Sequence, residues 1–100
     1  MNEAEIEQEI QEKQLNAPRL TPMSIDDAIV SVQYYVFPGT VCTVCCLTLK
    51  NGFAVVGETA PISPNNFDED LGKKIAFDNA REKVWMLEGY LAKQRLFDAK

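Results

Sequence analysis

The chain has 100 residues, 46% of them hydrophobic, a net charge of −5 and no histidine. That length makes one small domain. The acidic balance works against nonspecific binding to nucleic acid or an anionic membrane, because phosphate contact needs clustered lysine and arginine, and the missing histidine removes the commonest general base and nitrogen metal ligand.

The opening residues are acidic and carry no apolar core of a leader, so no signal peptide is expected. No apolar run approaches the roughly 20 residues of a membrane span. Segment 1–16 holds Glu3, Glu5, Glu7, Glu9 and Glu12 against Lys13, a net −4. A weak helix is expected over 3–15, with Ile6 and Ile10 as its only apolar stripe. A stripe that narrow does not order a helix by itself, so the segment docks or frays. Its charge also suits docking on a basic partner, or mimicry of nucleic-acid phosphates.

Residues 17–22 form a linker containing Pro18 and Pro22. Thr21 suits a helix N-cap with Pro22 in the first helical position. Ile25, Ala28, Ile29 and Val32 fall at i, i+3, i+4 and i+7, which predicts a second helix. It is expected to end near Tyr34–Phe37, before Pro38-Gly39.

A β-hairpin is expected over residues 40–60, joined at Asn51-Gly52 by a two-residue type I′ turn. Lys50 then faces Phe53. In that register Cys45, Leu47 and Leu49 share the core face with Ala54, Val56 and Glu58. Val44 and Cys46 share the other face with Phe53 and Val55, a half-apolar surface suited to an interface. Cys42, Cys45 and Cys46 alternate sides of the strand, so they do not converge on a metal. Three thiols on one strand read as reduced.

After a loop at 61–66, a long helix is expected from Phe67 to Phe97, capped by Asn66. Ala76, Ala80, Val84, Leu87 and Leu91 form one stripe. Trp85, Gly89, Ala92 and Leu96 form a second, nearly opposite, so the helix lies between two partners. Lys74, Arg81 and Trp85 sit on neighbouring positions. Basic groups beside an indole suit stacking on a nucleotide with phosphate contact, although interleaved Asp70, Asp78 and Glu82 also make an ordinary charged face.

Several segments together resemble a small family of tailed-phage proteins, named after gene 49 of one phage and gene 66 of another. They are Glu-Ile-Glu-Gln-Glu-Ile-Gln-Glu-Lys at 5–13, Ala-Pro-Arg-Leu-Thr-Pro at 17–22 and Leu-Thr-Leu-Lys-Asn-Gly-Phe at 47–53. Val-Gly-Glu at 56–58, Ser-Pro-Asn-Asn-Phe-Asp at 63–68 and Lys-Val-Trp-Met-Leu-Glu-Gly-Tyr-Leu at 83–91 complete them. The chain has Ser24 where the family pattern places a first-turn carboxylate, which argues against a full capping box. The resemblance implies a phage-encoded protein acting in a bacterial cytoplasm. It brings no activity and no catalytic residues.

The expected architecture is α+β: helix, helix, β-hairpin, long C-terminal helix, completed by a homodimer. Hairpins would pair edge to edge, or long helices would pack through Trp85. The interface candidates are Val44, Cys46, Phe53, Val55, Trp85, Gly89 and Ala92. The expected function is a non-enzymatic accessory protein that binds and modulates a host or phage protein, with no cofactor and no metal. The alternatives are a nucleotide-type ligand binder using Lys74, Arg81 and Trp85 near a dimer cleft, and an acidic nucleic-acid mimic.

Overall fold

The computed structural model describes residues 2–15 and 17–100. Met1 and Asn16, the ends of the acidic segment 1–16, lie outside the described residues. The elements run in the order α1 (Glu3–Glu12), α2 (Pro22–Ala28), β1 (Ile29–Val36), β2 (Thr43–Leu49), β3 (Ala54–Thr59) and α3 (Glu69–Asp98), with a single 3-10 turn at Pro64–Asn66 before α3. The class is α+β, as the sequence predicts. The sheet, however, is an antiparallel meander of three strands in the order β1-β2-β3.

The second helix stops at Ala28. Thr21 caps it, with Pro22 in the first turn. The capping box is complete despite the missing carboxylate: Ser24 N–H donates to Thr21 Oγ1 at 3.1 Å, and Thr21 N–H donates to Ser24 Oγ at 2.9 Å. A serine hydroxyl reaches back as a glutamate would. From Ile29 the chain is extended. Branched and aromatic side chains from Ile29 to Val36 favour a strand, and β2 supplies the partner for it.

The hairpin register differs by one residue from the expected one. Thr48 pairs with Ala54 and Leu47 with Val55. Leu49 N–H donates to Phe53 O at 2.8 Å, and Gly52 N–H to Leu49 O at 2.9 Å. The loop is therefore Lys50-Asn51-Gly52, with only Gly52 at positive φ (+89°). Asn51 instead uses its carboxamide, accepting from Phe53 N–H at 3.0 Å. This is the three-residue hairpin, a turn followed by a left-handed glycine.

That shift exchanges the two faces of β3. Val55 and Gly57 join Thr43, Cys45, Leu47 and Leu49 on the buried side. Val56 and Glu58 face outward. Glu58 is thus not on the core face, and Val55, an expected interface residue, is core and only 7% exposed.

α3 lies across the buried face. Ala76, Ala80 and Val84 are fully buried against the sheet, with Leu87 partly so. Burying Leu47, Ile25 or Val84 contributes roughly 1.5–3 kcal/mol each. The approach is unusually close at Gly57: a Cβ there would stand 2.2 Å from Ala80 N and 2.5 Å from Ala76 O. Small residues on both sides allow backbone to meet backbone. The cap of α3 is Asp68, not Asn66; its carboxylate accepts from Leu71 N–H at 3.0 Å. Thirty helical residues span about 45 Å, far more than the sheet is wide. The C-terminal half of α3 therefore projects past the core, with Met86, Tyr90 and Phe97 exposed.

Candidate functional site

Two regions draw together residues that carry chemistry or contact: the junction between α1 and α3, and the uncovered face of the sheet.

At the junction, Arg81 projects from α3 toward α1 and α2. Its Nε donates to Asp26 Oδ1 at 2.9 Å, one terminal nitrogen pairs with Glu3, and the other donates to Pro22 O at 3.1 Å. Trp85, one turn on, donates its indole N–H to Glu3 at 3.2 Å. The guanidinium also lies 6.0 Å from the centre of the Trp85 ring. The hydrogen bond from Arg81 and its positive charge, with the indole hydrogen bond from Trp85, hold the Glu3 carboxyl below the usual carboxylate range against the cost of burial. Burial works against the Arg81 cation, but Glu3 and Asp26 more than offset it and hold its pKa above the ordinary value.

A second clamp lies along α1. Arg19 makes two hydrogen bonds to Glu7, at 2.7 and 2.8 Å. This fork is the strong geometry for a guanidinium and a carboxylate. With Gln11 also donating, the Glu7 carboxyl is pushed down to about 2. The first helix thus docks through the face that carries Glu3, Ile6, Glu7 and Ile10, while no residue of α1 is fully buried. Between the clamps lies a pocket of about 380 Å³, walled by Ile6, Ile10, Leu20, Pro22 and Trp85.

The nucleotide trio separates chemically. Arg81 and Trp85 meet, but both point their donors at Glu3, and Lys74 stands exposed elsewhere on α3. Sequence spacing placed Arg81 near Trp85 correctly. It carried no signal of the partners, because Glu3 is 78 residues away.

The outer face of the sheet carries Ser31, Gln33 and Tyr35 of β1, opposite Thr48, Cys46 and Val44 of β2, which in turn meet Ala54, Val56 and Glu58 of β3. Phe37 extends it, its ring edge-on to Tyr35 with centroids 4.9 Å apart. No element of the chain covers this face among the described residues. Tyr35 is 55% exposed and Phe37 48%. Val44 and Cys46, both expected interface residues, are half-buried here, and Phe53 stands exposed at the hairpin end. Gly89 and Ala92 are half-buried on α3, and Leu20 of the linker approaches Gly89.

The cysteines divide as the strand alternation predicts. Cys45 is buried under α3, and burial, with the neighbouring Cys46, pushes its thiol pKa up. Cys42 and Cys46 are half-buried. No group of three Cys, Asp or Glu side chains converges on a metal-sized space among the described residues. No helix there is long and apolar enough to cross a membrane.

No curated protein and no solved structure matches the chain. The sequence pattern of the phage protein (N4 Gp49/phage Sf6 gene 66) family matches residues 20–96, from the end of the linker to near the end of α3. α1 and Arg19 fall outside that match, so the Glu3 clamp to Arg81 and Trp85 joins a flanking segment to the family domain, while the Glu7–Arg19 clamp lies within the flanking segment itself. With more than three-quarters of its length matched, the chain belongs to the N4 Gp49/phage Sf6 gene 66 family of phage proteins.

Proposed function

We propose that this phage protein is a non-enzymatic accessory factor that binds and modulates a host or phage protein in the bacterial cytoplasm, using the outer face of its sheet. The observation that carries the reading is that face itself. Tyr35, Phe37, Val44, Cys46 and Val56 form a continuous apolar surface with Glu58 at one margin. Exposed apolar patches of this kind mark interaction surfaces, and aromatic residues dominate interface energetics. The strongest charged groups support the same reading, since Glu3, Glu7 and Arg81 are engaged in holding α1 to the domain. The partner expected is a protein presenting an apolar, weakly charged surface.

The test is affinity capture from infected host cells with wild type beside a Tyr35→Lys/Val56→Lys double variant. A partner enriched by wild type and lost with the variant is expected. Equal enrichment by both, or none by either, refutes the reading.

The pocket beside Trp85 favours a second reading, a small-ligand binder. Its walls are apolar and its rim carries Glu3 and Glu7. Thermal-shift screening against nucleotides and cationic aromatics tests it, because a ligand at 100 times its dissociation constant adds about 2.7 kcal/mol. A flat screen removes it.

A further inference from the structure

The two edges of the sheet are treated differently. β3 is closed by α3: Lys83 Nζ donates to Val56 O, and Asn79 Nδ2 donates to Glu58 O at 3.0 Å. These are the carbonyls that point away from β2. Such side-chain capping is a standard way to blunt an edge.

β1 has no such protection. In its register with β2, Ser31, Gln33 and Tyr35 exchange hydrogen bonds with Thr48, Cys46 and Val44. The backbone groups of Val32, Tyr34 and Val36 therefore point away from the sheet. No side chain donates to or accepts from them among the described residues. The strand is eight residues long, about 27 Å, and holds no charge, no proline and no glycine. A long, uncharged edge of exposed apolar residues is a template for another strand.

We infer that β1 pairs antiparallel with β1 of a second copy, joining two three-stranded sheets into one of six strands. Two observations select a second copy as the occupant. First, from Ala28 to Leu49 no residue is charged, a run of 22 in a chain with 25 charged residues and a net −5. Two like-charged copies meet here without repulsion, whereas the rest of the surface carries the charge. Lys73 stands 5.6 Å from the Tyr34 ring centre, but it is paired with Glu69 at 3.5 Å. Second, the area suffices. Tyr34, Tyr35 and Phe37 are 40–55% exposed, and at 150–250 Å² per aromatic they offer about 300 Å² per copy. Valine side chains and strand backbone bring two copies to on the order of 1,000 Å², the lower bound for a specific interface. Antiparallel edge pairing is also self-complementary, as a two-fold interface requires.

The pairing extends the outer face across both copies, so the surface proposed for partner binding doubles. The two proposals fail separately: a monomer that still captures its partner removes only this one.

The test is mass in solution across the micromolar range, by light scattering or sedimentation. Wild type is expected at twice the 11.2 kDa of one chain. Val32→Pro removes an outward N–H without touching a bond to β2. Two lost hydrogen bonds per dimer weaken it about 30-fold. Gln33→Lys, on the exposed outer side, places like charges across the new seam and is expected to weaken the dimer while leaving the far-ultraviolet circular-dichroism spectrum of the folded chain unchanged. It decides the matter if the proline variant fails to fold. A wild-type monomer, or a dimer indifferent to Gln33→Lys, overturns the inference.

Discussion

Replacing Gly57 by alanine adds one methyl group where α3 crosses β3. The new Cβ would lie 2.2 Å from Ala80 N, 2.5 Å from Ala76 O and 2.7 Å from Ala80 Cα. Ordinary contact begins near 3.4 Å, so the helix must retreat by more than an ångström. All three atoms are backbone, and no side-chain rotation relieves the clash. Retreat lifts Ala76, Ala80 and Val84 from Cys45, Leu47 and Val55. Overpacking of this kind costs about 1–3 kcal/mol, and a backbone clash belongs at the upper end. At about 4–8 °C per kcal/mol for a domain of this size, the melting temperature falls by about 12–24 °C. Gly89→Ala is the control. Its Cβ would meet only Leu20 Cδ1, at an ordinary 3.8 Å, while the helix interior gains about 0.5–1 kcal/mol from losing a glycine. Circular-dichroism melts of the two variants should therefore move in opposite directions. A Gly57→Ala protein melting within a few degrees of wild type would refute the account of how helix and sheet meet.

Arg81→Gln releases Glu3, Asp26 and the Pro22 carbonyl together. A loss of about 1–2 kcal/mol is expected, with faster proteolysis within residues 2–15 as the specific sign that α1 has undocked; an unchanged cleavage rate contradicts the clamp. Acid should undock α1 as well. The Glu7 carboxyl is lowered from 4.5 to about 2 by Arg19 and Gln11, so its contribution is complete above its unfolded value and fades as pH falls from there toward 2. Emission from Trp85, the chain's one tryptophan, should shift red in that window, and a flat profile counts against the coupling. Thr43→Val should stabilise by about 1 kcal/mol, because Thr43 Oγ1 is buried with no hydrogen-bond partner among the described residues and valine keeps the shape while removing the unsatisfied hydroxyl; urea midpoints decide its sign.

The buried stripe of α3 and the core face of β2 were legible because each follows one uninterrupted period. β1 was hidden by its own irregularity. The pairing slips between Ile29 and Ser31, so Val30 bulges, and Ile29 and Val32 come to the same face. An i, i+3 spacing on a bulged strand then looks helical. The branched run Ile-Val-Ser-Val was the signal against it. The hairpin register failed for a related reason. Asn51-Gly52 fits two turn types, and they differ by one residue of loop. Gly57 opposite Ala76 and Ala80 was the discriminating clue, since only one register turns that glycine toward the helix. The clamps at Glu3 and Glu7 join segments with no shared period, and pattern alone does not pair them.

The uncharged run from Ala28 to Leu49 also has a history during synthesis. It leaves the ribosome before α3 exists, so the face later covered by Ala76, Ala80 and Val84 is bare while translation continues. The acidic segment, N-terminal to that run, is made before it and stays attached throughout. Charge flanking an apolar stretch keeps such a chain from associating with its neighbours. In the finished protein α1 buries none of its residues, yet during assembly it supplies negative charge to the chain that carries the uncovered run. Its removal should therefore lower the yield of soluble protein far more than the melting temperature of what does fold.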